Sequence, residues 1–356
     1  MPRTISSIGE EGVIRLFKTL FPRGRHILEN YDDAWCFRSN GYYVTISTDM
    51  LVSGTDVPPG MTVGQAIRKA VVMGISDIVS KGHRPSYYLI SLGLRPDMTE
   101  LALREALRGV HKAIREYGGQ LVGGDTNEAD QFIANITTVG AGRNAPVSRR
   151  FGKIGDIIAT TGGFGGPPSG LLVLLGKAKR PPTGWRSIYE SVMMPRAQLS
   201  AGVLLAEEGV LSGCTDSSDG MSTSLCNMAI NSNHGAFIDE IPLLEGVQAF
   251  ATLNKLDAIQ LALNGGEEYH LILSIRRELW QRALEVSRNN QFNIIRIGRV
   301  IPQKGVWMID ERKRTVRIKS RGWQHFSKVR YVATIPSSRK PNRSEAIDPP
   351  CQIRKP

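Results

Sequence analysis

Five short acidic clusters, each beside glycine or another small residue, are spread along the chain. They are Asp32-Asp33, Ser47-Thr48-Asp49, Ser76-Asp77, Gly123-Gly124-Asp125 and Asp216-Ser217-Ser218-Asp219-Gly220. The chain as a whole carries a formal charge of +12 at pH 7, so these clusters oppose its overall sign. Small neighbours let the backbone and an ion approach closely, and Mg²⁺ is usually held by a few carboxylates together with phosphate oxygens. The clusters therefore predict an enzyme that binds a nucleotide together with Mg²⁺.

The bulk properties are those of a folded protein with two domains. The chain has 356 residues, of which 41% are hydrophobic and 22% charged. No apolar run approaches the roughly 20 residues that a membrane helix needs. The first residues, MPRTISSIGEEGVIRLF, lack the zones of a signal peptide. We therefore expect a cytoplasmic protein without a membrane segment.

Cysteine and histidine spacing does not indicate a zinc site or a disulfide framework. The four cysteines are Cys36, Cys214, Cys226 and Cys351, and no pair of them has CxxC spacing. The six histidines are equally dispersed along the chain. A metal site in this protein would therefore be built from oxygen ligands.

The positive charge leaves a non-enzyme alternative open, that of a nucleic-acid-binding protein. A polyphosphate substrate would explain a basic surface equally well. Part of the excess lies in the final stretch, SSRKPNRSEAIDPPCQIRKP, which is rich in Pro and Ser and poor in core-forming residues. Residues 331–356 are therefore expected to form a disordered basic tail, and nucleic acid is an unlikely partner.

Residues 1–145 are predicted to form an N-terminal domain of sheet and helix. Periodicity and composition predict strands over residues 42–48, 86–94, 120–122 and 132–142, and helices over 63–80 and 99–117. Ser47, Thr48 and Asp49 would then lie at the end of the first strand, and Asp77 within the first helix. Catalytic groups commonly lie on loops positioned by such a scaffold.

Residues 146–330 are predicted to form a C-terminal α/β domain, after a basic and polar stretch at 148–153. The pattern predicts strands over 156–161, 236–238, 269–274 and 293–300, and helices from 171 onward, over 195–208 and over 219–230. A glycine-rich turn at 162–170 precedes the first helix. Its backbone N–H groups could bind phosphate, although such turns are often only structural.

Common nucleotide-binding motifs are missing. The chain has no GxxxxGK[ST] loop and no protein-kinase HRD or DFG signature. Taken alone, each acidic cluster is also consistent with an ordinary cap, turn or solvated pair. It is the order of the clusters along the chain that indicates a function.

With its acidic clusters in this order, the chain resembles the thiamine-monophosphate kinase family, within the superfamily of aminoimidazole-ribonucleotide (AIR) synthetase. The matching segments are YDDAWCF, ISTDMLVSGTDVP, VVMGISDIVSKG, LVGGDTN, SRRFGKIGDIIATTG, DSSDGMSTSL, GGEEYHLIL and RGWQHF. The resemblance spans residues 8 to about 328. It implies a two-domain AIR-synthetase-like α/β (α+β) architecture and a homodimer whose N-terminal domains pair.

The resemblance also implies roles for individual residues. Metal ligands would be Asp33, Ser47, Thr48, Asp49, Asp77, Asp125, Asp216 and Asp219, of which Asp77, Asp125 and Asp219 would be the catalytic ones. ATP would be bound by Gly124, Asp125, Arg149 and Ser218. The acceptor would contact Asp56, Glu267 and Trp323.

Several positions depart from the pattern of the family. Tyr31 stands where a glycine is usual, Gly74 where an asparagine is usual, and Glu268 replaces the second acidic residue of GGED. Asp56 occupies the place of a common histidine, which puts that acceptor contact in doubt. None of these changes removes an implied metal ligand.

The resemblance implies that ATP and Mg²⁺ are used to phosphorylate thiamine monophosphate to thiamine diphosphate. An acceptor phosphate is already an anionic nucleophile, so direct in-line transfer needs no general base. This suits clusters of carboxylates and hydroxyls. Another ATP-dependent enzyme of the superfamily, such as AIR synthetase or a heterocyclic nucleoside kinase, is the alternative.

Overall fold

The computed structural model describes residues 3–21, 27–28, 32–310, 312–323 and 325–326. These residues form eleven α-helices, one 3₁₀ turn and twelve strands. The predicted tail, residues 331–356, lies outside the described residues, as does Cys351. Within the described ranges, no helix combines the length and the apolar character required to cross a membrane.

The first half of the chain forms one sheet with helices on one face. Its elements are α1 (Ile5–Leu20), β1 (Trp35–Ser39), β2 (Tyr42–Val52), α2 (Ser53–Asp56), α3 (Val63–Ser80), β3 (Arg84–Leu94), α4 (Glu100–Tyr117), β4 (Gln120–Glu128) and β5 (Ile133–Gly142).

Local capping explains why α3 and α4 begin where the sequence predicts. The Thr62 hydroxyl accepts a hydrogen bond from the Gln65 N–H, and Gln65 Oε1 accepts one from the Thr62 N–H, so that α3 starts with a capping box. Thr99 caps α4 through the Ala102 N–H. The predicted bounds of α3 are confirmed, and those of α4 are confirmed to within one residue.

The described part of the first half contains a five-stranded sheet in the order β1-β2-β5-β3-β4. All its pairings are antiparallel except β3 with β4. Asp49 pairs with Ile136, which pairs with Ile90, which pairs with Gly124. These residues share the face covered by α3, whereas Thr48 and Asp125 lie on the open face because successive residues of a strand alternate.

Two predicted strand ends are wrong. β2 continues to Val52 because it stays paired with β5 along its whole length, so Asp49 lies inside the strand. β4 likewise continues through Gly124 and Asp125 to Glu128. A Cβ atom on Gly124 would come within 1.9 Å of the Ile90 carbonyl oxygen, so only glycine permits this close pairing.

The second half of the chain contributes the remaining elements. They are β6 (Ile157–Thr160), α5 (Gly166–Leu174), α6 (Trp185–Met193), α7 (Leu199–Glu207), β7 (Leu211–Asp216), α8 (Met221–Ile230), β8 (Gly235–Ile238), α9 (Val247–Asn254), α10 (Ala258–Asn264), β9 (Leu271–Ile275), a 3₁₀ turn (Arg277–Leu279), α11 (Trp280–Asn289), β10 (Ile295–Ile301), β11 (Val306–Ile309) and β12 (Thr315–Ile318).

The described strands of this half form a seven-stranded sheet in the order β12-β11-β8-β10-β6-β9-β7. The prediction of a glycine turn through residue 170 is wrong in part, because α5 already begins at Gly166. The N–H groups in the first turn of a helix have no partner within the helix. The two prolines in the first turn of α5 suit this position because they have no N–H group. The division of the chain between residues 145 and 146 stays a proposal. It falls between the end of β5 and the start of β6.

Helix α3 connects the two sheets. It packs against β2 and β5 on one side and against β7 and α7 on the other. Ile67 and Val71 of α3 share one buried apolar cluster with Leu271 and Leu273 of β9. The polar end of α3 is thereby held where the two halves meet.

Candidate active site

An ion-pair network at the end of α3 holds the first acidic cluster. The Lys81 side chain is fully buried, and its Nζ atom donates to Asp32 Oδ1 at 2.5 Å and Asp33 Oδ2 at 2.9 Å. Arg149 donates to Asp33 Oδ1 at 2.8 Å. Burial alone would raise the pKa of Asp33, but Lys81 and Arg149 outweigh it and lower that pKa. Asp33 is therefore ionised and held in one orientation.

Three further carboxyl groups meet beside this network, from β2, α3 and β7. The carboxyl group of Asp77 is hydrogen-bonded to that of Asp49, and it also lies close enough to Asp216 for electrostatic repulsion between the two groups. Asp216 accepts a 2.6 Å hydrogen bond from the Ser76 hydroxyl. The Thr215 hydroxyl donates to Asp33 Oδ2 at 2.8 Å, which connects the trio to the first cluster.

Burial is the largest cause of a raised pKa in each of these three carboxyl groups. For Asp77 the charges of Asp49 and Asp216 add to burial, and the pKa lies well above its ordinary value. Burial also raises the pKa of Asp49, although a hydrogen bond with Asp77 opposes the rise, and burial raises the pKa of Asp216 to about 8, with Asp33 as the largest charge contribution. A cation placed among them would remove both penalties.

The donor set fits a divalent cation that shares its coordination with a phosphate. The buried Oδ2 atom of Asp49 has no hydrogen-bond partner in the described structure. Among the described residues, no three His, Cys, Asp or Glu side chains are arranged to hold a metal ion unaided. Mg²⁺ is usually bound by one or two carboxylates, waters and substrate phosphates, so a phosphate would have to complete the ligand set.

The two predicted hydroxyl ligands of β2, Ser47 and Thr48, lie on opposite faces of the sheet. Ser47 is buried and donates to the Gly74 carbonyl at 3.3 Å, close to the carboxyl trio. A side chain at Gly74 would clash with the Thr138 hydroxyl, 2.5 Å away. Thr48 is exposed on the open face, 3.2 Å from Asn135 Oδ1. Only Ser47 is therefore placed to act together with Asp49 in the same chain.

Gly124 and Asp125 are not brought to the carboxyl trio within one chain. Gly124 is three strand spacings from Asp49 across the sheet, or about 14 Å. Asp125 is exposed on the open face, where it bonds its neighbour Thr126. A metal ion cannot bridge that distance, so Asp125 cannot share a metal with Asp49 of the same chain.

The segment that carries Trp323 lies over the start of α8. The Trp323 N–H donates to the Asp219 carbonyl at 3.1 Å, and the Gly322 N–H donates to Thr223 at 3.2 Å. From the other side, Glu10 of α1 accepts the His325 N–H at 2.8 Å. Asp219 is exposed, yet protein atoms crowd its carboxyl group, and this loss of solvation together with Glu10 raises its pKa to about 6.

The predicted acceptor residues Asp56 and Glu267 meet on either side of a lysine that the sequence did not single out. Lys69 Nζ donates to the Asp56 carbonyl at 2.8 Å and forms an ion pair with Glu267. The Asp56 carboxylate accepts the Val52 N–H at 2.7 Å. The next residue, Glu268, is buried, accepts the Gly165 N–H at 2.5 Å and supports the glycine turn.

Sequence reasoning missed Lys69 and Lys81. Both are charged residues at positions of α3 or its end that pack against protein, with the Lys69 and Lys81 residues at most 1% exposed. Lys69 and the preceding Arg68 interrupt an apolar stretch of α3, and that position was the available signal for buried, paired cations. Their partners lie far away in the sequence and could not be identified.

A cleft of about 790 Å³ flanks the segment that carries Arg149. Ser148, Arg150 and Asn231 are among its lining residues, but none of the predicted site residues is. Asn231 donates to the Arg149 carbonyl at 3.0 Å, so that this cleft adjoins the candidate site without containing it.

The pKa shifts predict how Mg²⁺ stabilises the protein as pH changes. Without metal, the folded form of Asp216 (pKa about 8) holds its proton more tightly than the unfolded form (pKa 3.8). This stabilisation is complete below pH 3.8 and is lost as pH rises through about 8. Mg²⁺ at about 100 times its Kd should therefore raise Tm by about 4 °C at pH 8.5, and by much less at pH 5.5.

Differential scanning fluorimetry of EDTA-treated protein, with and without Mg²⁺, measures this difference. Asp97→Asn, a change at an exposed carboxylate that pairs with Arg95 outside the candidate site, provides the control and should show the same Mg²⁺ effect as the wild type. An Mg²⁺ effect that is equal at the two pH values would contradict the interpretation of these carboxyl groups as a cation site.

Comparison with known proteins agrees with this geometry. Residues 31–141 match the family model for "AIR synthase related protein, N-terminal domain". Thiamine-monophosphate kinase of Pyrococcus horikoshii is 34% identical over 330 residues, which cover 92% of this chain and 99% of the relative. That of Nitrosopumilus maritimus is 31% identical over 322 residues, 90% of this chain and 100% of the relative.

Solved structures show the same fold. The structure of AaThiL complexed with AMPPCP and TMP superposes with a TM-score of 0.78 at 24% identity, and covers 91% of this chain and 99% of that one. The expected mixed helix-and-strand, AIR-synthetase-like architecture with two sheets is thus confirmed. Sequence identity above 30% over almost the full length of both proteins shows that the chain belongs to the thiamine-monophosphate kinase family.

Proposed function

We propose that this protein is an enzyme that phosphorylates thiamine monophosphate to thiamine diphosphate with ATP. The observation that carries the proposal is the meeting of Asp33, Asp49, Asp77 and Asp216, from four separate segments, in a chain of this family. The related AaThiL has been crystallised with AMPPCP and TMP, an ATP analogue and the proposed acceptor. Mg²⁺ is proposed as the cation.

The carboxyl trio and Asp33 are proposed to hold Mg²⁺, together with the Ser47 hydroxyl. When bound, the metal neutralises the repulsion between two polyanions and the charge on the transferring group. Lys81 and Arg149 fix the orientation of Asp33, and Ser76 fixes that of Asp216. Arg149 and Ser218 are proposed to contact ATP, and Asp219, beside Trp323, to act at the catalytic centre.

The chain's own part in the transfer is to position the two reactants. An acceptor phosphate oxygen is already anionic, so the reaction needs alignment more than proton removal. Cys214 is fully buried, and burial raises the pKa of its thiol well above the ordinary value, which leaves it unsuited to be a nucleophile. We therefore propose direct in-line transfer without a phosphoenzyme.

We propose that the active form is a homodimer in which the open faces of the five-stranded sheets are covered by the partner. Large side chains on that face are between 40% and 55% exposed, namely Trp35, Tyr42, Met50, Tyr87 and Leu89. Every residue of edge strand β4 is exposed, and the backbone groups along an exposed sheet edge can pair with a strand of another chain. Asp125, Gly124 and Thr48 would then act at an interface between two chains.

Mixing two inactive variants tests this arrangement. Asp77→Asn and Asp125→Asn should each be inactive alone. If Asp125 serves the site of the other chain, one site of the mixed dimer regains both wild-type residues and activity returns. Light scattering should show about twice the 39.1 kDa mass of one chain. Failure of activity to return after verified exchange of subunits would place Asp125 outside the partner's site.

A panel of acceptors tests the activity itself. Purified protein would be incubated with ATP, Mg²⁺ and one of thiamine monophosphate, thiamine or aminoimidazole precursors, and the products identified by mass spectrometry. Thiamine diphosphate from the first acceptor alone is expected. Turnover of an aminoimidazole precursor instead would favour the alternative enzyme of the same superfamily. The cytoplasmic location stays a prediction.

Trp323 is proposed to stack on the aromatic rings of the acceptor. A cation over an aromatic face gains about 0.5–2 kcal/mol, which corresponds to a rise of about 2- to 30-fold in KM for thiamine monophosphate in Trp323→Ala. KM for ATP should stay nearly unchanged. Steady-state kinetics with each substrate varied in turn measures both constants, and Trp307→Ala, outside the site, is the matched control. An equal rise in both KM values would mean that Trp323 has only a packing role.

A further inference from the structure

Lys69 is a buried cation with two partners that come from different parts of the molecule. Its side chain is 1% exposed, and its Nζ atom donates to the Asp56 carbonyl at 2.8 Å. The same atom forms an ion pair with Glu267 Oε1, 198 residues away in sequence. A buried ammonium group is stable only when it is paired and hydrogen-bonded, so this contact ties α3 to the loop that precedes β9.

The Glu267 side of this contact is also held tightly. Glu267 and Tyr269 both have left-handed backbone angles, with φ of 65° and 52°. Non-glycine residues adopt such angles only when their surroundings impose them. The Glu267 N–H donates to the Ser218 carbonyl at 2.6 Å, and the Tyr269 N–H to the Ser217 carbonyl at 3.0 Å. The loop is thereby fixed against the segment that carries Asp216 and Asp219.

One of the two oxygen atoms of the Glu267 carboxylate is available to bind a ligand. The Glu267 side chain is 39% exposed although Oε1 is bound to Lys69. Among the described residues, no hydrogen bond reaches Oε2. When one carboxylate oxygen is anchored by a buried cation, the other oxygen is presented in a defined direction, where it can accept a hydrogen bond from an N–H donor. An amino group on a heterocycle is the matching chemistry.

We propose that Lys69 is the positioning residue of the acceptor site. It holds Glu267 oriented toward an amino-substituted heterocycle, and it ties the two halves of the chain together at that point. This inference rests on the proposed function. Lys69 acts through Glu267 and does not itself touch ATP, so it controls recognition of the acceptor rather than of the nucleotide.

A double-mutant cycle tests the proposal. Lys69→Met and Glu267→Gln should each raise KM for thiamine monophosphate by about tenfold, while KM for ATP changes by less than about twofold. The double variant should be no worse than Glu267→Gln alone, because Lys69 has no other route to the acceptor. Independent, multiplying effects of the two changes would overturn the proposal, as would an equal loss for ATP.

Arg68→Met is the matched control. Arg68 is the neighbouring buried cation of α3, but it donates to Glu116 at 2.6 Å and to the Pro195 carbonyl at 2.8 Å, away from Glu267. Both variants are expected to lower Tm, and only Lys69→Met should change KM for the acceptor selectively. The same selective change in Arg68→Met would show that general loosening of α3 is the cause, and the proposal would be wrong.

The wild-type panel separates this proposal from the proposed function. If the wild type converts another amino-heterocycle, the proposed function fails, and the same cycle is run with that acceptor. If Lys69→Met does not fold, Glu267→Gln and Glu267→Ala still decide. An unchanged KM for the acceptor in both would remove the carboxylate from acceptor recognition, and with it the role of Lys69.

Discussion

Replacing Asp77 with Asn is expected to lower kcat by about a thousandfold or more while leaving the fold intact. Asp77 lies between Asp49 and Asp216, and its carboxyl group is a proposed ligand of Mg²⁺. Loss of a positioned metal contact removes several kcal/mol of transition-state stabilisation, and about 4 kcal/mol corresponds to a thousandfold in rate. Initial rates with ATP and thiamine monophosphate at saturating Mg²⁺ measure the change.

The fold should survive because the native carboxyl group is itself poorly accommodated without metal. Burial and three carboxyl neighbours raise the pKa of Asp77, so a neutral amide relieves repulsion. Tm in EDTA should therefore be unchanged or higher, and the Mg²⁺-dependent rise in Tm should be smaller than in the wild type. Asp97→Asn should keep wild-type kcat. Activity of Asp77→Asn within tenfold of the wild type would exclude Asp77 as an essential ligand.

Lys81→Met is expected to lower the free energy of unfolding by about 3–5 kcal/mol. The Lys81 ammonium group is the buried partner of both Asp32 and Asp33, and the Asp32 side chain is also fully buried. Methionine leaves the apolar part of the side chain in place but leaves two carboxylates with less compensating charge. Urea unfolding followed by circular dichroism measures the loss.

A surface pair provides the comparison for Lys81. Arg282 pairs with Glu208 at 2.9 Å, and both side chains are more than a third exposed. Such pairs contribute at most about 1 kcal/mol, so Arg282→Met should be nearly neutral. Adding Asp32→Asn to Lys81→Met should recover part of the stability, since it removes one of the two stranded charges. A loss below about 1 kcal/mol in Lys81→Met would show that the network is not a structural support.

Local structure could be predicted from the sequence at helices α3 and α4, where the capping contacts lie within a few residues. The bounds of α3 follow from the capping box of Thr62 and Gln65 and from apolar spacing, and the structure confirms them. The same holds for the start of α4 at Thr99. Strands β2 and β4 were begun correctly and ended too early, because their length depends on pairing with β5 and β3, which local composition does not encode.

The candidate site likewise has features that the sequence predicted and features that only the tertiary structure decided. The order of the acidic motifs identified the family, and the resemblance implied eight metal ligands, among them Asp33, Asp77 and Asp125, but each motif alone was consistent with a cap or a turn. The tertiary structure decided which of them meet. It placed Asp125 about 14 Å away on the opposite face of the sheet, which a list of motifs along the chain cannot show.

Sequence by itself therefore determined the family, the type of several helices and strands such as α3, α4, β2 and β5, and the acidic residues of the site. Only the tertiary structure decided that Lys81 holds Asp32 and Asp33, and that Lys69 joins Asp56 to Glu267. The physical reason is that a buried charge is tolerated only where partners converge on it in space. Those partners lie 49, 48, 13 and 198 residues away along the chain, and folding alone brings them together.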